Sequence, residues 1–159
     1  MSQGVNASTG QAKVLAVRLP LQGKTLLLPY SMVAEVASLS LRTQDGAFLG
    51  SVEWRGVRIP VFSLERACGQ NLDIIAGRVR LAVIYGLTDP TKRPYYALVL
   101  AGMPHTESIM PTQLTTPEET GAEDACALLG LPALLGDEIV FMPNIQDLEA
   151  WMDSVEMLA

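Results

Sequence analysis

Residues 46–69 read GAFLGSVEWRGVRIPVFSLERACG, and the fold is read outward from this stretch. Gly50–Trp54 and Val57–Phe62 are short runs rich in β-branched and aromatic residues. Arg55-Gly56 lies between them and suits a tight turn, where glycine accepts a positive φ. Val57, Ile59 and Val61 fall on one face, the period-two pattern of a half-buried strand. Pro60 has no amide hydrogen for a ladder, so its strand is expected at a sheet edge or at an irregularity. Ser63 is a candidate cap for a helical turn over Leu64–Cys68. Glu65 suits the first turn and Gly69 the stop.

Upstream, Val14–Pro20 and Thr25–Pro29 read as strands joined by a turn at Leu21–Lys24. Ser31 suits the cap of a helical turn over Met32–Glu35. Val36–Arg42 then alternates, with Ala37, Leu39 and Leu41 on one face. Downstream, 70–77 is a connector. Arg78–Tyr85 and Tyr95–Ala101 are strands around a loop holding Asp89-Pro90 and Arg93-Pro94. A short strand spans His105–Met110, and Pro111–Glu123 is an acidic, polar loop. Ala125–Leu131 and Glu138–Met142 read as a further hairpin around Pro132–Asp137. Asn144 is a good N-cap for a terminal helix in which Ile145, Leu148, Trp151, Met152, Val155 and Leu158 share a face. That face is expected to pack on the chain's own core. About ten short strands with one substantial helix is the pattern of small barrels.

The chain has 159 residues, 49% of them hydrophobic, enough for a substantial core in one domain. No apolar run reaches the ~18 residues of a membrane span. Residues 1–12 read as a flexible polar tail without the apolar centre of an export signal. Cys68 and Cys126 are therefore expected to be reduced, in a cytoplasmic protein. Residues 1–93 carry all 11 Lys and Arg and 6 Asp and Glu, a net of +5. Residues 94–159 carry 11 Asp and Glu and no base, a net of −11; the sum is the formal −6. An acidic whole argues against nucleic-acid binding. The asymmetry suits either a soluble acidic half or electrostatic steering of a partner.

Reactive chemistry is sparse. His105 is the one histidine, and nothing in its spacing from Cys68 or Cys126 implies a nucleophile–base pair. No ligand spacing suits a metal, and no glycine pattern suits a phosphate. Glu118-Glu119 and Glu123-Asp124 read as solvated loop pairs. No catalytic, cofactor or metal residue is assigned; the residues suit a protein that works by surface contact.

Gly50-x-x-x-x-Arg55-Gly56-x-x-Ile59-Pro60-Val61-x-x-Leu64, ending at Gly69, resembles the central signature of the CheW-like adaptors of bacterial chemosensory systems. Val33-Ala34-Glu35-Val36 resembles the family's V-x-E-V/I segment, and Arg78–Tyr85 with Tyr95–Met103 its later strand pair. The resemblance runs from about Val14 to Trp151. Ser63 and Glu65 stand where the family has Asp and Arg or Lys. Ala101 stands where it has Asp before Gly-Val, and Met142-Pro143-Asn144 where it often has Leu-Asp. These departures are similar to a divergent branch such as the pilus-associated adaptors.

The resemblance implies an all-β fold: two five-stranded SH3-like barrels around a shared core, with short helices and a C-terminal helix. The expected division is subdomain one at 13–70, subdomain two at 71–143 and the helix at 144–158. It also implies a non-enzymatic adaptor, without cofactor. Such an adaptor couples the cytoplasmic tips of chemoreceptors to the regulatory domain of a sensor histidine kinase at membrane-associated arrays. The partner-binding residues it implies are Val33, Glu35, Val36, Gly50 and Arg55. From the residues alone, Arg55 suits both an internal brace and a contact for carboxylates or helix C-terminal carbonyls. Trp54 and Val36 suit core burial. Two rivals remain on the sequence: a small-ligand carrier built on a β-barrel, and a hydrolase using Cys68 or Cys126.

Overall fold

The computed structural model describes residues 12–42, 44–72, 74, 77–117 and 126–158. The expected tail, apart from Ala12, and the acidic pairs at 118–119 and 123–124 lie outside these residues. Eleven strands are described: β1 (Val14–Leu21), β2 (Lys24–Pro29), β3 (Val33–Leu41), β4 (Phe48–Trp54), β5 (Val57–Phe62), β6 (Gly77–Tyr85), β7 (Tyr95–Val99), β8 (His105–Ile109), β9 (Leu114–Thr115), β10 (Leu131–Leu135) and β11 (Glu138–Met142). Two helices join them, α1 (Leu64–Ala67) and α2 (Ile145–Leu158).

The strands form two sheets, ordered β8-β1-β2-β11-β10-β9 and β3-β6-β7-β5-β4. The all-β expectation holds, with one sheet of six strands instead of five because the two-residue β9 adds to its edge. The expected division at 70/71 differs from the sheets. The opening hairpin β1–β2 joins the late strands, through a parallel contact between Leu26 and Phe141. Strands β6 and β7 instead join β3–β5. A chain read in order cannot reveal such pairings, since parallel neighbours need long crossovers.

Alternation then builds three apolar clusters. Val17, Leu19, Leu26 and Leu28 of one sheet meet Phe62, Ala82, Ile84, Tyr96 and Leu98 of the other in a core between the sheets. The opposite faces of the same strands fill separate interiors. Ile59, Val61, Leu81, Val83, Ala97 and Val99 line the first, and Ala16, Leu27, Ala133, Leu135 and Val140 the second. Strands covered on both faces need near-continuous apolar runs, which is why Leu81–Ile84 is buried throughout.

Several local expectations are corrected. The expected turn at Met32–Glu35 is a single 3-10 turn at Tyr30–Met32, and β3 begins at once with Val33. Ala127–Leu129 is another such turn, so β10 starts only at Leu131 and takes Pro132 into its ladder. Of the two places expected for Pro60 it takes the irregularity, in a strand paired on both sides. It faces Ser51 beyond a bulge in β4, and the parallel pairing with β7 begins only at Val61. The Ser63 cap holds, its hydroxyl accepting from the Arg66 amide at 3.2 Å. Asn144 Oδ1 likewise accepts from the Asp147 amide at 3.0 Å.

Cys68 and Cys126, expected to be reduced, are joined in a disulfide with Cα atoms 5.2 Å apart. They are 58 residues apart in sequence. They meet because α1 packs against the 3-10 turn that Cys126 precedes.

Helix α2 packs Leu148 and Met152 into the shared core, and Trp151 lies 5.6 Å from the Phe62 ring. Leu158, expected on the buried face, is 88% exposed at the last turn. Polar groups also hold the helix. Glu149 is buried and accepts from the Leu87 and Thr88 amides and, at 2.6 Å, from the Thr88 hydroxyl. Burial and this carboxylate push the neighbouring Tyr96 phenol far above its usual value. The buried Arg93 guanidinium donates to Asp153 at 2.6 Å and also to Glu156.

Two predictions follow from these contacts. Asp153 is held below its ordinary carboxyl value, first by its hydrogen bond from Arg93. A carboxylate depressed in the folded state stabilises the fold above its unfolded pKa, and that contribution is lost as pH falls through the folded value. Thermal midpoints of the parent should therefore fall more steeply below about pH 4 than those of Asp153→Asn. The second concerns Gly130, with φ +81°, where a Cβ would overlap the Met142 carbonyl. Gly136, with φ +66°, has open space around it. Gly130→Ala should lose at least about 3 kcal/mol in denaturant titration, against about 1 kcal/mol for Gly136→Ala.

Candidate functional site

The β4–β5 hairpin ends in Arg55-Gly56, closed by the pairing of Trp54 with Val57. Arg55 has φ +50° and Gly56 φ +76°, the two left-handed residues of a type I′ turn. Arg55 is the sole non-glycine residue with positive φ among those described. Asn, Asp or Gly usually fills that position, so an arginine here needs compensating contacts.

Those contacts come from β3 and from the hairpin itself. Arg55 donates to Glu35 Oε1 at 2.7 Å, and its guanidinium lies 4.7 Å from the centre of the Trp54 ring. The indole N–H of Trp54 donates to the same carboxylate oxygen at 3.2 Å. Glu35 thus receives two donors from adjacent residues and ties the hairpin tip to β3. The side chains of Arg55 and Glu35 stay 67% and 36% exposed. At that exposure the ion pair contributes at most about 1 kcal/mol, and the cation–π contact a similar amount.

Aromatic packing supports the tip. Trp54 is buried and packs edge-on against Tyr95 at 4.9 Å, and Tyr95 packs on Tyr85 at 5.5 Å. Tyr85 and Tyr95 face each other across β6 and β7. The expectation that Trp54 belongs to the core holds, yet its N–H reaches out to the site. Val36, expected to be core, is instead exposed, as are Val57 and Tyr85. Val33 is half-buried against the shared core and pairs with Ile84.

Glu35 and Arg55 are brought into contact, with Val33 and Val36 beside Glu35 on β3. Gly50 is not part of this group. It lies toward the other end of β4, about 16 Å away at ~3.3 Å per residue. Its φ of +88° serves the bulge between Phe48 and Ser51. A Cβ there would touch the Gln44 side chain at 3.5 Å, an ordinary contact, so backbone conformation is what selects glycine. Sequence reading missed Tyr85 and Tyr95 as supports of the tip; their aromatic type opposite one another in a hairpin was the available signal.

The arrangement offers no reacting group. It is a rigid, partly apolar surface with one cation and one anion at its centre. Cys68 and Cys126 are bonded to each other, and neither is a free nucleophile in this form.

No family model matches the chain, and no curated protein sequence matches it. Among solved structures it is similar to the scaffolding protein TtCheW from Thermoanaerobacter tengcongensis. The two share 18% identity over 83% of this chain and 89% of that one, with a TM-score of 0.64. The fold is CheW-like, at low sequence identity to this scaffold.

Proposed function

We propose that the chain is a non-enzymatic signalling adaptor that couples chemoreceptors to a sensor histidine kinase. The observation that carries the reading is the exposed Arg55–Glu35 pair on a CheW-like fold, at positions where the sequence resembles the family's partner-binding segments. Arg55 is a brace and a contact at once. Its pair with Glu35 holds the turn, and its remaining donors face solvent, suited to a partner's carboxylate or helix C-terminal carbonyls. Exposed Val57 and Tyr85 supply apolar surface at this end of the sheet, and exposed Val36 does so on the opposite face of β3 from Glu35. Val33, half-buried against the core, positions β3. Gly50 would act on a partner separately, through the shape of the bulge.

The partners in this reading are the regulatory domain of the kinase and the helical hairpin at a receptor's cytoplasmic tip. The place of action is the cytoplasmic side of membrane receptor arrays. An output to pilus-based motility fits the divergent signature. No catalysis is part of the role.

The test is a binding titration of the full chain against the kinase regulatory domain and, separately, a receptor-tip fragment. Arg55→Glu places a second acid beside Glu35 and should weaken binding to at least one partner by about 10-fold or more, from loss of a central charged contact. Arg55→Asn suits the left-handed turn and should keep the parent's melting temperature within a few degrees while still weakening binding. Saturable binding that Arg55→Asn does not change would reduce Arg55 to a brace. Absence of binding by a folded parent to either partner at high concentration would remove the adaptor reading.

A further inference from the structure

We propose that Cys68 and Cys126 form a reversible thiol–disulfide staple between the two sheets. The bond joins α1, which follows β5 of the five-stranded sheet, to the turn leading into β10 of the six-stranded sheet. It is the one covalent cross-link among the described residues, and it lies at the junction between them. Both cysteines pack against the rim of the shared core.

Three observations favour a reversible bond over a permanent one. Both residues are only partly buried, the setting in which a disulfide is open to exchange with a small thiol. The fold does not need the bond to close its core, because seventeen buried residues already fill the space between the sheets. Small disulfide-dependent domains, in contrast, lack such a core. Each cysteine is also held by its own backbone. The Cys68 amide donates to the Leu64 carbonyl at 3.0 Å, and the Cys126 carbonyl accepts from the Leu129 amide at 3.0 Å. Leu129 and Leu64 are themselves buried. The two thiols of the reduced chain are thereby kept facing each other and ready to close.

Closure is an exchange with a low-molecular-weight disulfide such as oxidised glutathione. One cysteine thiolate attacks that disulfide, forming a mixed disulfide and expelling one glutathione thiolate. The second cysteine thiolate attacks the protein-bound sulfur, forms the Sγ–Sγ bond and expels the other glutathione. Two protein thiols are oxidised and one glutathione disulfide is reduced to two thiols. The two cysteine protons pass to the leaving thiolates. Reduced glutathione in excess drives the same steps backward. The staple is independent of which partner the surface around Arg55 binds.

The test equilibrates the native full chain across a range of oxidised-to-reduced glutathione ratios, traps free thiols by alkylation and counts them by mass. Both thiols should disappear together as the ratio rises and return together as it falls, without denaturant. The thermal midpoint should be higher by about 10 °C in the oxidised form, the scale expected for closing a loop of this length in a chain of this size. Cys68→Ser and Cys126→Ser should each hold one midpoint at every ratio. Two variants guard against one failing to fold. Thiols that stay alkylatable at the most oxidising ratio would overturn the proposal. So would a bond that survives the most reducing ratio in the native chain, or equal midpoints for the two forms.

Discussion

The fold depends on the beginning of the chain meeting its end. Strand β2 lies beside β11, so the opening hairpin has no complete sheet until the last strand has arrived. Only then do Val17, Leu19, Leu26 and Leu28 present one apolar face to the five-stranded sheet. Everything between is threaded through this closure. Strands β6 and β7 serve both the shared core and the interior of their own sheet, so they carry almost no polar side chain at their centres. The apolar face of α2 depends on the same closure, because it packs against a core made by both sheets.

Charge follows the same logic. The segregation of bases into residues 1–93 and acids into 94–159 suggests steering or solubility when read along the chain. In space much of it is internal complementarity. Arg18 pairs with Glu107 and Glu138, Lys92 with Asp153, and Arg93 with Asp153 and Glu156. Each of these joins a base from the first stretch to an acid from the second. The Arg55–Glu35 pair breaks the pattern, since both members come from the first stretch and Arg55 stays largely in solvent. Most of the paired charges help knit the chain's two stretches together, whereas Arg55, anchored on Glu35, keeps most of its guanidinium in solvent.

Local structure was legible in the sequence because its causes are local. The Arg55-Gly56 turn, the alternation along β3, the Ser63 and Asn144 caps and the apolar face of α2 each depend on residues within a few positions of one another. The resemblance carried the rest of the architecture. What escaped depends on residues far apart. Pro60 was expected at an edge or an irregularity, and which of the two it takes is decided at a distance, by the bulge in β4 and the late start of the β7 ladder. The burial of the charged Glu149 has no local cause either, since the loop after β6 supplies three donors to it. The cysteines carried no pairing signal, since only the docking of α1 on a distant turn brings them together. Of the site, Glu35 and Arg55 were each legible as residues, but their mutual contact and the aromatic support beneath it were not.

The hairpin tip shows how a brace and a contact coexist in one side chain. A left-handed arginine is a costly choice for a turn where asparagine or glycine would fold more easily. If bracing were the whole role, a neutral turn residue with a well-packed Trp54 would serve the fold as well, because an exposed ion pair contributes so little. Trp54 already has its partners in Tyr95 and the Glu35 carboxylate. The arginine therefore adds a property the fold does not require. It places a planar, multi-donor cation at a fixed position, with its orientation set by an anion on one side and an aromatic face on another. Fixing a charged head before a partner arrives reduces the ordering entropy lost on binding. The strain at Arg55 is then best understood as the local cost of presenting a charge at the surface in one orientation.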